Sequence, residues 1–403
     1  MASICNIKRI QSTSCSMDRL LPPPSYINSF NVVRFIAAIH IVNGHFFQRT
    51  LMIHRLPAEL VVLLSSSASY STSLFFVLSG FVLAYTRQRR IDQDKSKQKP
   101  FQLLARHLMR GIPYMIIGAT FACAIEVKQH GISVSLLLDY LYSISFIPPF
   151  FLRLPPLNGP AWAMSVFVLG YIIDAYFGHR LSAKSSGQSV FRMLIVICLL
   201  YSLTFFYGVL IPSTPSYPPK AYDFRSLAIH VFPLTRIFEI ILGMFLGLLT
   251  YSRYFQVKAM IGITFFPYRL VTFSTVVWNL VCLSLISRMS GDSAFLATHG
   301  LLLVPMCVML VTLATSDDWI SSPELVKLFS FLGRLSLPIY LLHNPSMHLY
   351  TTSLNLTRMS PESGSWLFVL GYFGFLSVLS IIVMFIVQAI SSMVLKIRCY
   401  RFD

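Results

Sequence analysis

Charge is what this sequence has least of. Asp, Glu, Lys and Arg make up 12% of its 403 residues, about half the ~25% of an ordinary soluble protein. Acids are scarcer still, 15 against 32 Lys and Arg, for a net charge of +17. So few charges cannot cover a water-soluble chain of this length. The seven cysteines (5, 15, 123, 198, 282, 307 and 399) include no CxxC pair, and four lie in apolar runs. That spacing argues against a disulfide framework or a zinc site and for buried, inert thiols. No clear small-residue cleavage site follows the first apolar run, which therefore reads as a retained span and not a removed signal peptide.

What the chain has instead is apolar length. Hydrophobic residues make up 55%, and runs near 20 residues recur from end to end, the signature of membrane helices. Ten candidate spans lie at about 29–48, 71–87, 104–125, 160–178, 190–212, 230–250, 270–288, 294–315, 329–350 and 366–395. The expected fold is all-α: a polytopic membrane helix bundle of about ten transmembrane helices. Its parts are a tail at 1–28, a membrane domain at 29–395 and a short tail at 396–403.

The excess of basic residues raises the question of nucleic acid, but these charges sit in short loops between apolar runs. Membrane topology explains them better than nucleic-acid binding. One set of loops carries Lys8, Arg9, Arg19, Arg87, Arg89, Arg90, Lys95, Lys97, Lys99, Arg180, Lys184, Arg253, Lys258, Arg269, Lys327, Lys396, Arg398 and Arg401. The opposite set is about half as rich, which places the first set and both termini in the cytosol. The opposite loops at 126–159 and 213–229 are rich in proline and aromatics. They read either as a lid or vestibule or as plain connectors.

A polar or ionisable residue within the bilayer is costly and calls for a reason. Arg34 and His45 are eleven residues apart on the first span. At helical pitch they fall within ~20° of each other and ~16 Å apart along the axis, whereas His40 points away. Histidine is the usual general base near neutral pH; a packing histidine bonded to a neighbouring helix is the plain alternative. Arg106, His107 and Arg110 open the third span. They serve either as a snorkelling anchor or as a seat for an anionic ligand. Arg236 and Glu239 share one face of the sixth span and form an expected ion pair. At ~1.5 Å per residue, His45 lies ~24 Å from the cytosolic end of its span, His343 and Arg236 ~21 Å, and Ser165 ~20 Å. Four polar groups on four helices thus share one level.

Six segments resemble the integral membrane acyltransferase family three. They are Asn31-Val-Val-Arg34 through His45; Phe75 through Phe81; Arg106 to Pro113; Trp162-Ala-Met-Ser165-Val; Pro233 through Arg236, Glu239 and Gly243; and Leu332 through Ser336, Tyr340, His343 and Pro345. Together, and in the family's order, they cover about residues 30–350. The resemblance implies a membrane O-acyltransferase. Such an enzyme moves an acyl group, acetyl foremost, from acyl-coenzyme A to a hydroxyl of a carbohydrate or other small acceptor, without a metal. On this basis the catalytic residues are His45, Arg34, Glu239 and His343. Arg106 and Arg110 would hold the donor, and Ser165, Trp162 and Arg236 would line the acceptor site.

Three positions depart from the family's pattern. Phe167 replaces the acid after the Ser-Val pair, Asn31 an aspartate, and His107 a second arginine. Glu239 is the carboxylate expected to substitute. Two other readings stay open: an inactive relative that binds an acyl donor or lipid without turnover, favoured by Phe167, and a solute transporter.

Overall fold

The computed structural model describes residues 27–47, 68–93, 99–178, 195, 199, 227–252, 268–287, 302–315, 322–354 and 365–399. They form helices and turns, with no strand among the described residues. The helices are α1 Ser29–Phe47, α2 Ala68–Asp92, α3 Pro100–Leu108, α4 Ile112–His130, α5 Val134–Ile144 and α6 Trp162–Phe177. They continue with α7 Pro233–Ser252, α8 Tyr268–Ser287, α9 Leu303–Thr315, α10 Pro323–Ser353 and α11 Trp366–Cys399. Among the described residues, six helical stretches are long and apolar enough to cross a bilayer: Ala68–Asp92, Pro100–His130, Gly159–Phe177, Pro233–Ser252, Pro323–Ser353 and Trp366–Ser392. The protein is thus a multi-pass helical membrane bundle. Helices α1, α8 and α9 fall at further predicted spans; the span predicted at 190–212 lies outside the described residues, isolated positions apart.

Helix α2 is the axis of the bundle. Every residue from Tyr70 to Leu78 is buried, Ser71, Thr72 and Ser73 among them, as expected of a helix enclosed on all sides. It meets α7 along a seam of backbone contact. A Cβ on Gly80 would lie 1.9 Å from the Ile240 carbonyl oxygen, and one on Gly243 would lie 1.9 Å from that of Val77. Gly247 meets Phe81 in the same way, one turn further along. Lipid tails give apolar helices no reason to prefer each other to solvent, so close backbone approach through small residues is what binds them.

The predicted third span divides in two. Gly111 stands between α3 and α4, and Pro113 follows. Proline lacks the N–H that would continue the ladder, and its ring disfavours helix in the preceding residue. The break lets α3 turn aside and pack on α6. His107 is thereby buried while Arg106 and Arg110 stay exposed.

The predicted loop at 126–159 is an ordered strap. After α4 come α5 and a 3-10 turn at Pro148–Phe151. Ser133 caps α5 by accepting a hydrogen bond from the Leu136 amide at 3.1 Å. The strap is tied down from below: the Ser165 hydroxyl donates to the Phe146 carbonyl at 2.9 Å. The Leu157 amide donates to Ser143 Oγ at 2.9 Å. Most of the loop predicted at 213–229 lies outside the described residues.

Candidate functional site

Helix α10 carries two internal prolines, Pro338 and Pro345. Pro345 has no N–H to give to the Leu341 carbonyl one turn back. Asn158, from the end of the strap, fills that place: its Nδ2 donates to Leu341 O at 2.9 Å. One turn before His343, the Tyr340 hydroxyl donates to the Pro160 carbonyl at 2.9 Å. The strap is thus pinned to α10 at Tyr340 and Leu341, in the turn that leads into His343.

His343 is 2% exposed. Its Nδ1 lies 2.6 Å from the Tyr340 carbonyl oxygen. A carbonyl only accepts, so Nδ1 carries a proton and donates it. The Tyr372 hydroxyl on α11 donates to the His343 carbonyl at 2.8 Å, fixing the turn from the other side. His45 of α1 stacks on this ring, with centroids 5.2 Å apart and planes inclined by 23°. His45 is only half-buried and is the more reachable of the two. His40 faces elsewhere, hydrogen-bonded through Nδ1 to Ser71 Oγ at 2.6 Å, as the helical angle predicts.

Arg236 and Glu239 form the expected pair, Nη1 to Oε1 2.9 Å. Arg236 Nη2 also donates to Ser73 Oγ at 3.1 Å, and the Ser73 hydroxyl donates to Glu239 Oε1 at 3.0 Å. This closed triangle is fully buried, with Arg236 1% and Glu239 0% exposed. The Arg236 guanidinium also lies over the Phe76 ring, 5.3 Å from its centroid. Phe76 meets Trp162 at 5.8 Å, and Trp162 in turn meets His230 at 5.1 Å. Aromatic rings thus run from the Arg236–Glu239 pair through Phe76 and Trp162 to His230.

Arg34 sits at the far end of α1 from the imidazoles. Its charge acts on Tyr171 of α6 together with that of Arg110. Tyr171 stacks on His107, centroids 4.9 Å apart. Around His107 the charges of Arg110, Arg90 and Arg106 are all felt. The nearby acid is Asp174, and it pairs with Arg87. Among the described residues, cations from α1, α2, α3 and the turn before α4 thus gather at one end of the bundle.

Between the two ends lies a small pocket lined by Ile41, Thr72, Phe75, Phe76, Ala163, Phe167, Leu337 and Tyr340. Ile41 is one turn before His45, Tyr340 one turn before His343, and Phe167 one turn before Tyr171. Along the helices the pocket therefore lies at a level between the arginines and the imidazoles. Phe167 forms part of its wall, packed edge-on against Phe76 at 5.2 Å and 6% exposed.

Several of these residues escaped the sequence reading. Asn158 had one available signal, since Pro345 demands a substitute donor for Leu341. Arg90 and Tyr171 belong to helix ends whose convergence is tertiary, and Ser73 looked like any small residue in an apolar run. Among the described residues no group of three or more His, Cys, Asp or Glu converges as a metal site.

Apolar helices of spanning length, packed round buried polar centres, define a multi-pass membrane protein. The acyltransferase-domain model of acyltransferase family 3 matches residues 27–387. The chain belongs to that family and is an acyltransferase of the kind that transfers groups other than amino-acyl groups. No curated protein matches it, and no solved structure does.

Proposed function

We propose that this protein is an O-acyltransferase that moves a short acyl group, acetyl foremost, from acyl-coenzyme A to a hydroxyl of a carbohydrate or other small acceptor. The observation that carries the reading is the order, along the helices, of the arginine cluster, the apolar pocket and the His45–His343 pair. Coenzyme A has phosphates at one end and a thioester at the other. Guanidinium groups suit the phosphates, and a neutral imidazole suits the proton transfer at the thioester.

In this reading Arg106 and Arg110, with Arg90 beside them, hold the phosphates from the cytosolic side, and Arg34 stands at the mouth of the same path. The pantetheine arm runs inward past Tyr171. His45 takes the proton of the acceptor hydroxyl as its oxygen bonds to the thioester carbon. The tetrahedral intermediate then breaks its C–S bond, and the departing sulfur receives the proton. His343, held by the Tyr340 carbonyl, positions His45 by stacking. The Arg236–Glu239–Ser73 triangle stiffens the wall, and Trp162 and Ser165 shape the acceptor side. The membrane domain would span 29–395, with cytosolic tails at 1–28 and 396–403, so that acceptors arrive from the opposite face.

One feature favours a second reading, a family member that binds the donor without turnover: Phe167 stands where the family pattern has an acid, and an acid beside a catalytic imidazole raises its basicity. Purified protein in vesicles, given acetyl-labelled coenzyme A and pooled hydroxyl acceptors, decides between them. Label covalently transferred to an acceptor supports the acyltransferase. Saturable donor binding with no transfer supports the second reading.

A further inference from the structure

The pocket between arginines and imidazoles has room for about one water-sized group. Its wall is almost wholly apolar: Ile41 from α1, Phe75 and Phe76 from α2, Ala163 and Phe167 from α6, Leu337 and the Tyr340 ring from α10, with Thr72 the exception. A void of this size and lining is unsuited to a sugar, whose hydroxyls would be left unpaired. Its place, one helical turn short of both imidazoles, is also where a donor entering from the arginine end would bring its acyl carbons.

We propose that this pocket holds the acyl chain of the thioester donor and that Phe167 gauges its length, limiting the protein to acyl groups of about two carbons. The inference rests on the acyltransferase reading above and adds a specificity-determining residue to it. Phe167 suits the role because its side chain is fixed on two sides. It packs edge-on against Phe76, with centroids 5.2 Å apart, and lies near-parallel to Tyr171 at 6.3 Å. Ala163, on the same face one turn earlier, is the smallest residue in the lining and marks where space could be removed.

The test is equilibrium binding of acetyl-, butyryl-, hexanoyl- and octanoyl-coenzyme A to the full-length protein in lipid nanodiscs, with transfer measured in parallel. A single misfitting methylene in such a pocket costs about 10-fold or more, so the unmodified protein should lose affinity steeply beyond acetyl. Phe167→Ala should relax that preference by at least about 10-fold for hexanoyl relative to acetyl. Phe167→Leu, which keeps most of the side-chain volume, should relax it less. Ala163→Val should weaken acetyl-coenzyme A itself while leaving free coenzyme A bound. A chain-length profile unchanged in all three folded variants would overturn the gauge and leave the acyltransferase reading standing. A shifted profile in a protein that transfers nothing would keep the gauge and sink the activity. No donor binding to the unmodified protein would remove both.

Discussion

His45 on α1 and His343 on α10 stack ring on ring, centroids 5.2 Å apart, though 298 positions of sequence separate 45 from 343. His343 is held through Nδ1 to the Tyr340 carbonyl and through its own carbonyl to the Tyr372 hydroxyl. His45 is the half-buried partner. The pair therefore has one rigid member and one accessible member, the arrangement needed to present a base to a substrate.

The first prediction separates two histidines of one helix. His45→Ala should lower acyl transfer by about 10²–10⁴-fold, the usual loss of a general base. His40→Ala, which removes the bond to Ser71 away from the imidazole pair, should leave transfer within a few fold. Transfer rates of the two purified variants, each checked for a folded melting profile, decide it. A folded His45→Ala protein at full activity would end the assignment.

The second concerns donor binding. Arg106→Gln with Arg110→Gln should weaken coenzyme A by more than about 10-fold, since a hydrogen bond to a charged group contributes ~1.5–3 kcal/mol. Arg90→Gln should weaken it further, because its charge joins the same cluster. Both exposed arginines can be lost without opening the core, so the protein should remain in the membrane. Equal affinities in titration calorimetry would mean that these arginines only anchor the helix.

The third addresses Glu239. Glu239→Gln leaves the Arg236 guanidinium buried without its counter-ion and should cost about 3–5 kcal/mol of stability. Arg236→Met combined with Glu239→Leu should recover most of that loss, because a buried pair replaced by apolar groups is often neutral. Thermal melts in detergent measure both. If Glu239→Gln melted normally yet lost transfer, the carboxylate would belong to the chemistry and not to the framework.

The fourth tests the α2–α7 seam. Gly243→Val places carbon where the Val77 carbonyl already stands, and overpacking of this kind costs ~1–3 kcal/mol. Gly374→Val on α11, where an added Cβ meets nothing within 4 Å, is the matched control. The first should lower the melting temperature and the second should not. Equal melts would show that α2 and α7 can part without penalty.

The fifth fixes orientation. A reporter fused after Asp403, or placed within 91–99, should read as cytosolic. Asn355-Leu356-Thr357 would then face the opposite side and accept glycan in a eukaryotic host. A reporter read from the far side would invert the proposed entry of the donor.

The class of the protein, the Arg236–Glu239 pair and the turning away of His40 from the His45 face were legible in the sequence because each depends on local periodicity. Run length and hydropathy mark a spanning helix, and 100° per residue puts His40 off the His45 face. Even the break between α3 and α4 had its local signal in Gly111 and Pro113. What one helix shows to another is not local. Only the packed bundle decided that His45 would meet His343 and that Glu239 would close a triangle with Ser73. The same holds for Arg34, which joined the arginine end, and for Asn158, which reached the carbonyl left open by Pro345. Each of these depends on how helices rotate and approach about their axes. That is governed by contacts such as Gly80 on Ile240 and Gly243 on Val77, between residues far apart along the chain.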